Sequence, residues 1–162
     1  MTTLVVLSDS HGDADSIRRV LAAEKTMSAV IYLGDGIHDM EQAMEEYQGL
    51  RYYLVSGNCD FHSFYPREAL APFDQVIAYY THGHIHGVKY DTKTLAAAAK
   101  ARGATLALFG HTHQSLHEEC DGVTLFNPGS CGRCYTGADT YGVLQLENGK
   151  LISAQHKPVP QR

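Results

Sequence analysis

The chain has 162 residues, 44% of them hydrophobic and 19% charged, with a formal net charge of -5. That length and balance suit one folded domain over residues 1–162 and exclude a disordered chain. The acidic balance argues against a long nucleic acid or an anionic membrane surface as partner, because either calls for a basic face.

The N-terminus, "MTTLVVLSDSHG", lacks a basic start and a long apolar segment, so no signal peptide is evident and a cytoplasmic location is expected. No apolar run approaches the ~20 residues of a bilayer span. "TLVVLS" (3–8) reads as a buried strand. "DADSIRRVLAAEK" (13–25) places Ile17, Val20 and Leu21 at helical spacing behind acidic first-turn residues. "SAVIYLGDG" (28–36) is a second strand, and "HDMEQAMEEYQ" (38–48) a second helix with Met40, Ala43, Met44 and Tyr47 on one face. "LRYYLVSGN" (50–58) is a third strand. Strands alternating with helices predict parallel pairing through crossovers.

"FDQVIAYYTHGH" (73–84) reads as one strand, "DTKTLAAAAKARG" (91–103) as a helix stopped by glycine, and "ATLALFGHTH" (104–113) as another strand. Then the helices stop. "QSLHEEC", "VTLFNPGS", "YGVLQLE" and "KLISAQHK" read as strands, with hairpin turns at Asp121-Gly122 and Asn148-Gly149. The C-terminal part is therefore expected to be antiparallel. Two sheets packed face to face with helices outside accommodate both halves. The four cysteines, Cys59, Cys120, Cys131 and Cys134, are expected to be thiols. The C-x-x-C at Cys131 and Cys134 stands alone, so neither a zinc nor a redox role is assigned to it.

Five predicted strands end in metal-competent groups. The first delivers Asp9 and His11, the second Asp35, the third Asn58, Cys59 and Asp60. The fourth delivers His82 and His84, the fifth His111 and His113. Sheets of this kind bind ligands beyond the carboxyl ends of their strands. Any one motif is an ordinary turn; five in order are not. The donors suffice for two metals, with Asp35 as the bridge. Asp9, His11 and His113 would complete one site, and Asn58, His82 and His111 the other. The alternation in "GHTH" would give one imidazole to each metal and turn Thr112 away. Imidazole, carboxylate and amide donors suit Mn²⁺ first, with Zn²⁺, Fe²⁺, Co²⁺ or Ni²⁺ also fitting.

The ordered set D-x-H, G-D, G-N-x-D, H-G-H and G-H-x-H, followed by "NPGS" (127–130), resembles the calcineurin-like metallophosphoesterase superfamily, in particular its small bacterial and archaeal phosphodiesterase branch. The likeness runs from Asp9 to Arg133. It implies a four-layer αββα sandwich of two mixed sheets, a dinuclear centre, and His82 rather than His84 as the metal-binding member of H-G-H. It implies hydrolysis of a phosphodiester by a hydroxide held between two metals ~3.5–4 Å apart, with Asn58 helping to hold the phosphoryl oxygens.

Many members carry G-N-H-D; here Cys59 takes the histidine's place. A thiol near its ordinary pKa of ~8.5 is a poorer acid at neutral pH than an imidazolium, so aryl phosphodiesters are the favoured substrates. Asp60 would orient the loop or a histidine. Arg133 and His84 are candidate substrate contacts. Tyr65 and Tyr135 could stack on a base or aryl group, though packing is the commoner use. His62 and His86 lie near the cleft in sequence. His38, His117 and His156 read as surface groups. A small phosphodiester is the expected partner, and a homodimer is left open. A non-catalytic scaffold of the same fold is the alternative; the complete ligand set favours the enzyme.

Overall fold

The structure is a computed structural model; it describes residues 1–134 and 137–162. Tyr135 therefore lies outside the described residues. Two five-stranded mixed sheets face each other. The first has the order β10-β9-β1-β2-β3 and the second β4-β5-β6-β8-β7. The strands are β1 (Thr2–Leu7), β2 (Ala29–Tyr32), β3 (Arg51–Leu54), β4 (Glu68–Phe73), β5 (Val76–Thr81), β6 (Leu106–Leu108), β7 (Ser115–Cys120), β8 (Val123–Pro128), β9 (Thr140–Glu147) and β10 (Lys150–Pro158). Helices α1 (Ala14–Ala23) and α2 (Ile37–Glu46) cover the first sheet, and α3 (Lys93–Ala101) covers the second. This is the expected αββα sandwich. No helix among the described residues is long and apolar enough to cross a membrane.

Burial on both faces explains the unbroken apolar run in β1. Leu4 and Val6 enter the core between the sheets, while Val5 and Leu7 pack under α1 and α2. Helix α1 starts where Asp13 accepts a hydrogen bond from the Ser16 amide at 3.0 Å, and it buries Ile17, Val20 and Leu21. Helix α2 has Gly36 at its N-cap and so has no side-chain cap of its own.

The fold departs from the sequence reading in two places. The segment read as one strand from Phe73 is the second half of a hairpin. Strand β4 pairs antiparallel with β5 around Asp74 and Gln75, whose φ angles are 48° and 68°. That turn contains no glycine, and β4 holds Pro72, which only an edge strand tolerates. The second departure is β8. It runs parallel to β6, with β7 folded back antiparallel at the sheet edge. The hairpin at Asp121-Gly122 was legible; its parallel neighbour was not.

Leu144 on β9 is fully buried between the sheets, opposite Leu4 on β1. Leu144→Ala leaves a cavity there and is expected to cost about 2–5 kcal/mol. Urea unfolding checks this: the midpoint falls while the m-value stays unchanged.

Candidate metal centre

The parallel strands β1, β2, β3, β5 and β6 point their carboxyl ends at one edge. At that edge Asp9, His11, Asp35, His82, His111 and His113 converge. Asp9, His11 and His113 bring ligand atoms within 4.8 Å of one another, and so do Asp35, His82 and His111. The nearest approaches are His11 Nε2 to His113 Nε2 at 3.2 Å and His82 Nε2 to His111 Nδ1 at 3.1 Å. Imidazole nitrogens this close could both be donors to one divalent ion.

Two of the tautomers follow from geometry. His82 Nδ1 donates to the Leu33 carbonyl at 2.7 Å, and His113 Nδ1 donates to the Arg133 carbonyl at 2.6 Å. A carbonyl only accepts, so each Nδ1 carries a proton, and in the neutral imidazole each Nε2 is the atom with a free lone pair. Both Nε2 atoms face carboxylates: His82 lies 3.2 Å from Asp35 Oδ2, and His113 lies 3.3 Å from Asp9 Oδ1. Such carbonyl partners are the usual orienters of metal-binding imidazoles.

Asp9 carries the strongest signal. Its side chain has no solvent exposure. Oδ2 accepts from Ser8 Oγ at 2.5 Å and the His111 amide at 3.0 Å. Oδ1 has no hydrogen-bond partner. A buried, unsatisfied carboxylate oxygen costs several kcal/mol unless a positive charge meets it. Burial pushes the Asp9 pKa up, but His11 and His113, then His82, hold it well below the usual carboxylate range. Burial likewise opposes charge on Asp35, which His82 and the Cys59 amide pull down. His82 is raised against its own burial by Asp35 and Asp9. His113 is raised chiefly by Asp9. Burial and the charge of His82 push His111 down to about 4.

Asp35 Oδ2 lies 3.7 Å from His11 Nε2 as well as 3.2 Å from His82 Nε2, so one oxygen faces both clusters. The backbone underneath is strained. Asp9, His11, Asp35, His111 and His113 have φ of 58°, 45°, 59°, 71° and 62°, the left-handed region that non-glycine residues rarely occupy. Strain of about 1–3 kcal/mol per residue persists only where surrounding contacts enforce it.

Those contacts come from Ser10, Tyr32 and Asp39, which no motif marks, and from the "NPGS" segment. Asp39 Oδ2 accepts from Ser10 Oγ at 2.6 Å and the Gly12 amide at 2.8 Å, and the Tyr32 hydroxyl lies 2.8 Å from Ser10 Oγ. Together they prop the Asp9–His11 turn. Asn127 Nδ2 donates to the Gly110 carbonyl at 3.1 Å and to Thr112 Oγ1 at 3.0 Å, which turns Thr112 away from the cluster as expected. Ser130 Oγ donates to the Asp9 carbonyl at 2.8 Å and accepts from the Arg133 amide at 2.6 Å. Both props belong to "NPGS".

The third strand's loop behaves differently. Asn58 and Cys59 are exposed, and Asn58 Nδ2 lies 3.5 Å from Cys59 Sγ. Cys59 Sγ joins His11 and Asp35 in a third close group. Burial, then Asp35, pushes its thiol pKa up, so the thiol keeps its proton at neutral pH. Asp60 accepts from the backbone amides of Asp35 at 2.7 Å, Gly36 at 2.9 Å, Ile37 at 3.0 Å and Gly57 at 2.7 Å. It both orients the loop and supplies the cap that α2 lacks. His84 lies beside the cluster, its ring 5.5 Å from that of His82. Arg133 is exposed, and its backbone holds His113.

The remaining residues take these places, and only His156 departs from its reading. Tyr65 is half-buried and packs on the core cluster under α2. His156 is not a solvated surface group: its ring stacks on Phe126 at 4.4 Å and its Nε2 donates to the Asn127 carbonyl at 2.7 Å. His86 contacts Tyr79 Oη at 2.6 Å, on the outer face of the second sheet. Cys131 is buried, and its thiol is pushed up to about 12 by that burial.

A family model for the calcineurin-like phosphoesterase superfamily domain matches residues 2–149. The chain is 30% identical to the probable metallophosphoesterase YsnB of Bacillus subtilis, covering 90% of this chain and 85% of that one. It is 27% identical to a phosphodiesterase of Methanocaldococcus jannaschii, covering 88% and 92%. Among solved structures, a predicted phosphoesterase from Streptococcus pneumoniae superposes with a TM-score of 0.82 at 24% identity, covering 97% of this chain and 89% of that one.

Two outcomes test the geometry. Asp60→Ala removes one carboxylate from four backbone amides and is expected to destabilise the fold by about 2–4 kcal/mol in urea unfolding. A methyl at Gly110 would sit 2.0 Å from Ser8 Oγ and 2.7 Å from Asp9 Oδ2. Gly110→Ala therefore displaces the Asp9 carboxylate, and metal bound per chain, measured by plasma mass spectrometry, is expected to fall by half or more.

Proposed function

The chain belongs to the calcineurin-like phosphoesterase superfamily, and we propose that it is a metal-dependent phosphodiesterase with a two-metal centre. Asp9, His11, Asp35, Asn58, His82, His111 and His113 would hold the metals. The observation that carries the reading is Asp9 Oδ1, buried, without a well-formed hydrogen bond, and faced by the Nε2 atoms of His11 at 3.4 Å, His113 at 3.3 Å and His82 at 3.8 Å. A cation is the partner this donor set fits. Asp35, facing both clusters through one oxygen, would serve both metals. Bound there, divalent ions, Mn²⁺ first, supply Lewis acidity and a water of lowered proton affinity.

The chain's own residues do the rest. The Leu33 and Arg133 carbonyls hold two imidazoles in the ligating tautomer. Asp60 keeps the Asn58 loop against Asp35, where the Asn58 amide can donate to a phosphoryl oxygen. Arg133, exposed beside His113, can pair with the same phosphate. Cys59 holds its proton tightly and is a weak donor to a departing alkoxide. That favours diesters with stable leaving groups, and the likeness to the Methanocaldococcus phosphodiesterase supports diesters over monoesters.

The experiment is hydrolysis of bis-p-nitrophenyl phosphate by metal-stripped protein, before and after adding Mn²⁺. Turnover is expected only with metal, and Asn58→Ala is expected to lower kcat/KM by about a hundredfold. Stoichiometric metal binding without turnover, for every divalent ion tried, would overturn the enzyme and leave the scaffold.

A further inference from the structure

Beside the centre lies a cavity of about 360 Å³, lined among others by Asn58, Phe61, His62, Tyr65, Arg67 and His84. It abuts the cluster through Gly57 and His84, and Asn58 lines it. Gly57, also in its lining, packs so close to Asp35 that a Cβ there would lie 2.1 Å from Oδ1. The His84 ring stands 5.5 Å from His82 and 6.2 Å from His111. A substrate phosphate at the cluster would therefore direct one ester arm into this cavity.

Its walls carry a consistent chemistry. Arg18, Arg19, Arg102 and Arg162 all pair with carboxylates. Arg67, like Arg51 and Arg133, is exposed and makes no ion pair among the described residues, and of these three it is the one that lines the cavity. The one acid in the lining, Asp60, is committed to four backbone amides and does not oppose an incoming anion. Guanidinium groups bind phosphate with two parallel hydrogen bonds. Phe61 is 82% exposed and offers its ring to the cavity. A solvated ring at a cavity wall suits stacking on a flat aromatic group. His62, between Phe61 and Ser63, has φ of 61°, a conformation rarely found without a structural or functional demand.

We propose that this cavity binds the nucleoside arm of a phosphodiester, with the base against Phe61 and a second phosphate on Arg67. The substrate class is then a short nucleotide ester that carries a further phosphate. The assignment rests on the phosphodiesterase reading above. The cavity volume, near the lower end for small-molecule sites, matches the size of one nucleotide.

Two chromogenic esters isolate the second phosphate: the p-nitrophenyl ester of thymidine 5′-phosphate, and the same ester bearing a 3′-phosphate. In the metal-loaded wild type, kcat/KM is expected to be at least tenfold higher for the 3′-phosphorylated ester. Arg67→Ala brings that ratio to within about twofold, and Arg67→Lys restores part of it. Phe61→Ala lowers kcat/KM for both esters and keeps the ratio. Calorimetric binding of thymidine 3′,5′-bisphosphate to metal-stripped protein in chelator gives a readout free of chemistry, and Arg67→Ala is expected to weaken it at least tenfold. Equal kcat/KM for the two esters in the wild type, or a ratio and an affinity that Arg67→Ala leaves unchanged, overturns the proposal. Bisphosphate binding that depends on Arg67, with neither ester cleaved under any metal, upholds the nucleotide site and overturns the esterase.

Discussion

A carboxylate without access to water must be neutralised by something, and Asp9 is the carboxylate around which this molecule is arranged. One of its oxygens is satisfied by Ser8 and the His111 amide; the other is left to imidazoles that come from both sheets. Ion pairs buried this deeply seldom stabilise a fold by themselves, because desolvation offsets the attraction. They are kept where a site needs charge held in place. The low pKa of Asp9 and the raised pKa values of His82 and His113 describe the same compromise from its two sides.

The compromise extends into the backbone. Five of the proposed donors sit in left-handed conformations, and an extensive set of hydrogen bonds enforces them. Asp60, Asp39, Asn127 and Ser130 each hold a turn by accepting from or donating to main-chain groups. None needs to touch a metal to matter. The rigid sheets set where the strands end; these side chains decide how the chain leaves them. The division of labour is the usual one between a scaffold and the loops it presents.

The sequence was most legible where periodicity and position coincide. Strands β1, β2 and β6 are short apolar runs, and the polar residues just beyond them could only lie at a strand end. That is why Asp9, Asp35 and the two histidines of "GHTH" were readable as one constellation. Hairpin β4–β5 was hidden because Asp74 and Gln75 turn the chain without glycine. The props were hidden for a different reason. Tyr32 and Asp39 lie 22 and 29 residues beyond Ser10 along the chain, and each of the three is an ordinary occupant of a loop, a strand or a helix. Only the fold makes them neighbours. His156 misled for the same reason: a polar strand gave no hint that Asn127 and Phe126 stand beside it.

The order of the strands has a consequence for synthesis. Strand β1 pairs on one side with β9, far from it along the chain. The donors span residues 9 to 113, and the carbonyl that fixes His113 belongs to Arg133. A growing chain therefore exposes scattered histidines and carboxylates long before it owns a binding site. The centre closes only when contacts distant in sequence have formed, the slow step for such topologies. A metal bound by these residues would thus be chosen by the folded protein, from the ions available to it, and not by the nascent chain.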